Sequence, residues 1–300
     1  MKIFFNIMIV LWFILCNMPV SADSVQAKLL EQYVDILNEK IRICQAGSGQ
    51  AVLLIHGLPG CLEDWEAMLP ELSKRFHVIA YDRPGHGLSS ANNLKYNLNH
   101  NADIALELIH KLDLKNPIIV GHSYGGSIVL AMAVRNTPNI KAFISVSPII
   151  STKRKPDLIF KILKIPLMGP ALRIFIELFL RTIVKKGMDI AFHPNQKDMP
   201  SHFIEKRCMM ISRAGNITTV ANEEMSMHPD LLNLAPFYGN IKKPFFIVTG
   251  ISDKVVCMDD VRLLYENLPG SKLIIFENTG HMVQYAKPSE LIKVIEEASE

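Results

Sequence analysis

Six apolar runs of strand length punctuate the chain, at Ala51–Gly57, His77–Asp82, Pro117–His122, Lys141–Pro148, Pro244–Gly250 and Lys272–Gly280. They are continuously hydrophobic rather than alternating, as strands buried on both faces of a parallel sheet must be. Between them, Glu63–Phe76, Asn101–Leu114, Tyr124–Asn136, Met258–Leu268 and Pro288–Ser299 space their apolar residues as helices do. Strand–helix alternation requires right-handed crossovers and predicts a doubly wound, mostly parallel α/β sheet. Ahead of this pattern, Gln32–Gly47 alternates on either side of Asn38-Glu39 and predicts a β-hairpin. Ligands of such sheets bind beyond the carboxyl ends of the strands, so polar residues there are the first candidates for chemistry.

One interval breaks the rhythm. Ile149–Lys243, 95 residues, contains no clear strand. Loops of that length without structure are uncommon, so an inserted helical cap is predicted over 149–243, between core segments 23–148 and 244–300. Within it, Asp157–Met188 is strongly apolar and interrupted at Pro166 and at Gly169-Pro170. The insert carries 15 Lys and Arg against 8 Asp and Glu, a net +7 that leaves the rest of the chain acidic. Its apolar stripe either packs against the sheet domain or forms a surface that takes acyl chains or lies on anionic lipid.

Residues 1–22 stand apart. Lys2, the apolar run Ile3–Leu15 and the small-residue end Val20–Ala22 have the layout of a secretory signal peptide, which predicts export to the periplasm or beyond. An uncleaved membrane anchor is the alternative, although the run is short for a span. Beyond it, Cys44, Cys61, Cys208 and Cys257 include no C-x-x-C pair, which argues against a thiolate metal site. Four thiols allow three disulfide pairings, and free buried thiols are the other reading. Apolar residues make up 49% of the chain, ample for a core, and the formal charge of +3 gives no reason to expect a nucleic-acid partner.

The chemistry concentrates in Gly121-His-Ser-Tyr-Gly125, which ends one predicted strand and opens one predicted helix. G-x-S-x-G is weak evidence alone and stronger in that context, where a sharp turn exposes the serine hydroxyl at the strand's end. A phosphate-cradling loop would need Lys-Ser or Lys-Thr at P-loop spacing, which is absent. A serine hydroxyl is a poor nucleophile near neutral pH and needs a base oriented by a third group. Downstream, Asp253 follows the strand Pro244–Gly250 and His281 follows the last strand, so both reach the edge where Ser123 sits. Taken singly, Asp253 reads as a helix cap and His281 as a loop histidine. Together with Ser123 they read as a catalytic triad. His56–Gly60 follows the first parallel strand, so the backbone N–H groups of Leu58 and Tyr124 are the expected oxyanion donors. His56 is expected to brace that loop, and Asp82, Arg83 and His86 in Tyr81–Ser89 are expected to be architectural.

These motifs jointly resemble the α/β-hydrolase superfamily from about Gln32 to Ser299. HG-x-P-G, D-R-P-G-x-G-x-S, G-x-S-x-G-G, G-x-x-D and G-H occur in the family's order. The resemblance implies the α/β-hydrolase fold with its cap inserted after the strand following the nucleophile, where Ile149–Lys243 lies. Ser123 argues against haloalkane dehalogenases and soluble epoxide hydrolases, which carry an Asp nucleophile. The "HGLPG" loop departs from the glycine pattern of proline iminopeptidases. The expectation is a serine esterase, lipase-like, acting on apolar or acyl-chain esters through Ser123, His281 and Asp253. It needs no metal or organic cofactor. Its partners would be an ester or lipid and, through the basic cap, a membrane surface, broadly as in monoacylglycerol-lipase-type enzymes. Carbon–carbon hydrolysis of ring-fission diketones, a perhydrolase-like reaction and a non-catalytic ligand receptor are the alternatives.

Overall fold

The N-terminal hairpin pairs β1 (Leu30–Ile36) with β2 (Glu39–Ala46) through Leu37 and Asn38, whose φ values are 47° and 67°. Positive φ at both turn residues matches the twist of the strands they join. In this computed structural model, which describes residues 30–92, 96–152, 158–165, 168–213 and 216–300, the hairpin leads into one eight-stranded sheet. The other strands are β3 (Ala51–Ile55), β4 (His77–Tyr81), β5 (Ile118–His122), β6 (Ala142–Val146), β7 (Phe245–Gly250) and β8 (Lys272–Phe276). Their order is β1-β2-β4-β3-β5-β6-β7-β8, antiparallel across β1, β2 and β4 and parallel from β4 through β3 to β8.

Every residue of β3, β5, β6 and β7 is buried, which accounts for their unbroken hydrophobicity. Alternate side chains go to opposite faces. Leu53, Ile119, Phe143 and Ile247 join one core, while Val52, Val120, Ile144 and Val248 join the other with Trp65 and Leu291. On the sheet's faces lie α1 (Leu69–Leu72), α2 (Leu98–Lys111) and α3 (Tyr124–Ala133). The helix expected over Glu63–Phe76 is instead a 3-10 turn, Leu62–Trp65, followed by the single turn α1. Pro70 explains the break, since proline lacks the N–H that would continue a helix and is tolerated only in a first turn. Helix α2 begins three residues before its apolar periodicity, because the Asn97 side chain accepts from the His100 N–H at 2.8 Å and fixes the start.

Between β6 and β7 lie the helices of the cap: α4 (Leu158–Leu163), α5 (Met168–Ala191), α6 (Phe203–Ile211) and α7 (Asn216–Leu234). Among the described residues the interval contains no strand. Gly169 and Pro170 fall inside the first turn of α5 rather than interrupting it, because first-turn residues need no N–H for the helix's own bonds. The expected break at Pro166, the start of that segment at Asp157 and the signal peptide over 1–22 lie outside the described residues. After the cap come α8 (Met258–Glu266), α9 (Val283–Ala286) and α10 (Pro288–Ser299). Cys44, Cys61, Cys208 and Cys257 are all free, so none of the three pairings forms.

A fully buried ion pair ties cap to core. Arg83, in the loop after β4, donates from Nη1 to the carboxylate of Glu223 on α7, both side chains having no exposed surface. Asn101 Nδ2 and His86 Nε2 complete the Glu223 contacts at 2.8 Å each. Burial alone would raise the Glu223 pKa, but the Arg83 charge and the His86 hydrogen bond hold it down to about 2, below its ordinary 4.5. A carboxylate depressed in this way contributes stability above its unfolded pKa and loses it as pH falls through the folded one. Glu223→Gln leaves Arg83 buried and unpaired and is expected to cost about 3 kcal/mol in urea unfolding at neutral pH. The gap from the unsubstituted protein should narrow as pH falls from about 4 toward 2, and a gap of constant size would show that the Glu223 charge contributes nothing.

Candidate active site

Strand β5 ends at His122 and α3 begins at Tyr124, leaving Ser123 between them at φ 57° and ψ −117°. A non-glycine residue held there costs about 1–3 kcal/mol and persists only where its surroundings determine it. Here they do. The Ser123 N–H donates to the Val146 carbonyl at 2.8 Å, and its own carbonyl accepts from Gly126 at 2.9 Å and Ile149 at 3.2 Å. The turn is so tight that a Cβ on Gly121 would lie 2.2 Å from the Gly125 carbonyl oxygen. One on Gly125 would lie 2.3 Å from that of Ile55. Both glycines are therefore required by contact between backbones.

Asp253, past β7, and His281, past β8, meet at the same edge. His281 Nδ1–H donates to Asp253 Oδ2 at 2.8 Å, and the other carboxylate oxygen accepts the N–H groups of Val255 at 2.7 Å and Val256 at 2.9 Å. Asp253 is thus a turn cap and a histidine partner at once. Burial opposes its ionisation, but the His281 ring and the two backbone N–H groups hold its pKa below the ordinary carboxylate value. With Nδ1 committed as donor, His281 Nε2 carries the free lone pair. His122, beside Ser123, clamps the other side of this loop: its Nε2–H donates to the His281 carbonyl at 2.9 Å, with ring centroids 4.7 Å apart. Burial and the neighbouring His281 push the His122 pKa down to about 3, so it stays neutral.

The loop after β3 closes the third side. A Cβ on Gly57 would come 3.0 Å from Ser123 Cβ, so Gly57-Leu58 runs directly against the serine. His56 is fully buried and serves this loop: its Nδ1–H donates to the Gly57 carbonyl at 2.8 Å, and its Nε2 accepts from the Arg83 N–H at 2.9 Å. Burial and then the Arg83 charge keep it neutral. Arg83 also reaches the His56 and Gly57 carbonyls, and Asp82 accepts from the Leu62 and Leu88 N–H groups at 2.7 Å each. The loop after β4 is therefore a brace, as expected for Asp82, Arg83 and His86. Among the described residues, neither the Leu58 nor the Tyr124 N–H donates to an internal acceptor, so both are available to an oxygen beside Ser123.

Three participants escaped sequence reasoning: His122, Glu223 and Arg207. Arg207, on α6, donates from Nη1 to the Pro59 carbonyl and from Nη2 to Asp64 Oδ1 at 2.5 Å. It and Pro59 are 148 positions apart, and no local pattern marks either as the other's partner. Both also border a cavity of about 310 Å³, lined otherwise by apolar side chains that include Leu163 of α4, Ile176 and Leu180 of α5 and Ile217 of α7. Among the described residues no group of three or more His, Cys, Asp or Glu is placed to hold a metal ion.

Comparison with known proteins adds the following. A family profile described as "alpha/beta hydrolase fold" matches residues 50–164. An uncharacterized protein of Mycobacterium tuberculosis (strain ATCC 25618 / H37Rv) is 28% identical over 269 residues, 84% of this chain and 75% of that protein. The 2-(acetamidomethylene)succinate hydrolase of Mesorhizobium japonicum is 23% identical across 93% of this chain and 98% of its own length. Among solved structures, the epoxide hydrolase CorEH superposes with a TM-score of 0.76 at 21% identity, covering 90% of this chain and 98% of its own. At that identity the likeness is one of fold alone.

His122→Phe keeps an aromatic ring at the position while removing the N–H that holds the His281 carbonyl. A net hydrogen bond of about 1 kcal/mol maintains that loop, so kcat is expected to fall about fivefold to tenfold at nearly constant KM. Unchanged kcat on any substrate of the unsubstituted protein would show that the clamp does not set the position of His281.

Proposed function

We propose that this chain, a member of the α/β-hydrolase superfamily, hydrolyses carboxylic esters with an apolar acyl part, using Ser123 as nucleophile, His281 as base and Asp253 as its orienting carboxylate. The observation that carries the substrate half is the apolar cavity bordered by Pro59 of the loop that runs against Ser123. An acyl chain lying in that cavity would bring its carbonyl toward the serine, with the carbonyl oxygen between the Leu58 and Tyr124 N–H groups.

The chemistry follows from these placements. His281 Nε2 takes the hydroxyl proton as Ser123 Oγ bonds to the carbonyl carbon, and the Asp253 carboxylate stabilises the imidazolium. The oxyanion is held by two backbone N–H groups already free of internal acceptors. Collapse expels the alcohol, which receives the proton from His281, and leaves an acyl-serine. Water then repeats the sequence, releasing the acid and restoring the hydroxyl.

Carbon–carbon cleavage of a diketone could use the same three residues, but it needs polar groups in the substrate pocket. Arg207 is the charged residue bordering this cavity, and its guanidinium is already engaged by Asp64 and Pro59. That favours the ester. The test is a series of p-nitrophenyl esters from acetate to palmitate. kcat/KM is expected to rise by up to about fourfold per methylene until the cavity is filled, since a buried CH2 is worth about 0.8 kcal/mol. Ser123→Ala should lower it about 10⁴-fold or more. Retained activity in Ser123→Ala would refute the mechanism. Faster turnover of a ring-fission diketone than of any ester would move the reaction to carbon–carbon cleavage. No reaction of Ser123 with a fluorophosphonate would favour a ligand receptor.

A further inference from the structure

Helix α5 is apolar on two opposite sides, and only one of them is used. Leu180, Val184 and Ala191 pack against Phe192, Phe203, Ile204 and Tyr285 inside the molecule. The opposite side carries Ile174, Phe175, Leu178, Phe179 and Ile183, exposed by 61, 55, 75, 49 and 45%. At about 100° per residue these five occupy one half of the helix circumference and form a continuous stripe. Leu158 and Ile165, in the segment that precedes α5, are likewise exposed, by 68 and 43%. Phe175 and Phe179 pack on each other as a tilted pair, with centroids 4.7 Å apart, rather than on a core. Single exposed leucines are ordinary, whereas a contiguous patch of this kind marks a surface that meets something apolar.

The charges around the stripe say what that partner is. Arg181 and Lys185 are satisfied by Glu205 at 2.7 Å and Asp189 at 2.6 Å. Lys161, Lys164 and Lys186 have no ion pair among the described residues. A second copy of the chain docked through this face would put two sets of these lysines into one interface with no added carboxylate to meet them. An anionic lipid surface neutralises them and takes the apolar side chains between its headgroups. Among the described residues no helix is long and apolar enough to cross a membrane, so contact would be made along the surface. The stripe meets the cavity at Ile183, which lines it and is 45% exposed, as does Ile159 of α4 at 40%.

We propose that the outer face of the cap, residues 158–165 with the exposed side of α5, docks on an anionic bilayer and passes acyl chains from it into the cavity between Ile183 and Pro59. Docking stands on the surface alone, while acyl transfer rests on the ester-hydrolase reading.

The test uses the full chain in flotation with vesicles of phosphatidylcholine, alone or mixed with phosphatidylglycerol. The unsubstituted protein is expected to float with the mixed vesicles and to release as salt rises. A triple Lys161→Gln, Lys164→Gln, Lys186→Gln variant should bind roughly a hundredfold more weakly, about fivefold for each lysine. A Phe175→Glu, Leu178→Glu variant should not bind. Circular dichroism should show both variants folded, and acetate ester hydrolysis should be unchanged in both. Mixed vesicles should raise palmitate-ester hydrolysis by the unsubstituted protein and not by the glutamate variant. Docking is overturned if the unsubstituted protein fails to float, if the variants float equally well, or if it proves a dimer that the glutamate variant splits. Flotation without any vesicle effect on long esters overturns acyl transfer, and flotation without hydrolysis of any ester overturns the ester reading while docking holds.

Discussion

The structure depends on one close contact: the backbone crossing around Ser123, where Gly121 approaches Gly125 and Gly125 approaches the carbonyl of Ile55 with no room for a Cβ. Three elements converge there, β3, β5 and α3, and the Ser123 N–H and carbonyl are tied to Val146, Gly126 and Ile149. The sheet can hold Ser123 at φ 57° because parallel pairing fixes β5 between β3 and β6 along its length. The local cost of about 1–3 kcal/mol is small beside two cores of fully buried aliphatic side chains. The same crossing lays the Gly57-Leu58 loop against the serine and sets His122 where it can grip His281. Ser123, the Gly57-Leu58 loop and His281 are therefore positioned by a single piece of backbone geometry.

Around that crossing runs a shell of buried charge that is structural rather than chemical. Arg83 has no exposed surface, yet its donors reach Glu223, Asn101 and the carbonyls of His56 and Gly57. A guanidinium is suited to this, since its planar fork satisfies several acceptors without deprotonating. Arg42 plays a related part at the hairpin, beside Asp82 at 3.1 Å and Glu63 at 2.5 Å. Burying such charges is costly unless every one is met. That requirement fixes the loop after β4 in the one arrangement that supports the Gly57-Leu58 loop.

The sheet was legible in the sequence because burial on both faces leaves long apolar runs, and Ser123, Asp253 and His281 were legible because each follows such a run. Boundaries set by single residues were harder to read. Asn97 starts α2 ahead of its apolar pattern, and Pro70 divides a stretch that periodicity presents as continuous. The cap contacts were illegible for a different reason. Glu223 finds Arg83 across 140 positions and Arg207 finds Pro59 across 148, and no periodicity links residues that far apart. The apolar character of α5 was visible as composition, but which of its sides faces inward depends on α6 and on Tyr285.

Those long-range contacts bear on how anything reaches Ser123, which is only 3% exposed. The cap is fastened to each of the loops that surround it. Glu223 holds the loop after β4, and Arg207 holds Pro59. The His281 N–H donates to the Ala191 carbonyl at 3.1 Å, at the end of α5, and Gly280 N–H donates to Asn195 Oδ1 at 3.0 Å. Lifting the cap would pull on His281, the Gly57-Leu58 loop and its brace together, breaking a buried ion pair as it went. Opening of that kind costs several kcal/mol and disassembles the site it is meant to expose. The apolar cavity between α4, α5 and α7 lies within the cap and borders Pro59, so occupying it leaves those fastenings in place. A cap clamped at three loops and hollow between its helices is thus built as a fixed wall more than a lid, and on the ester-hydrolase reading its apolar cavity is where the acyl part of a substrate would lie.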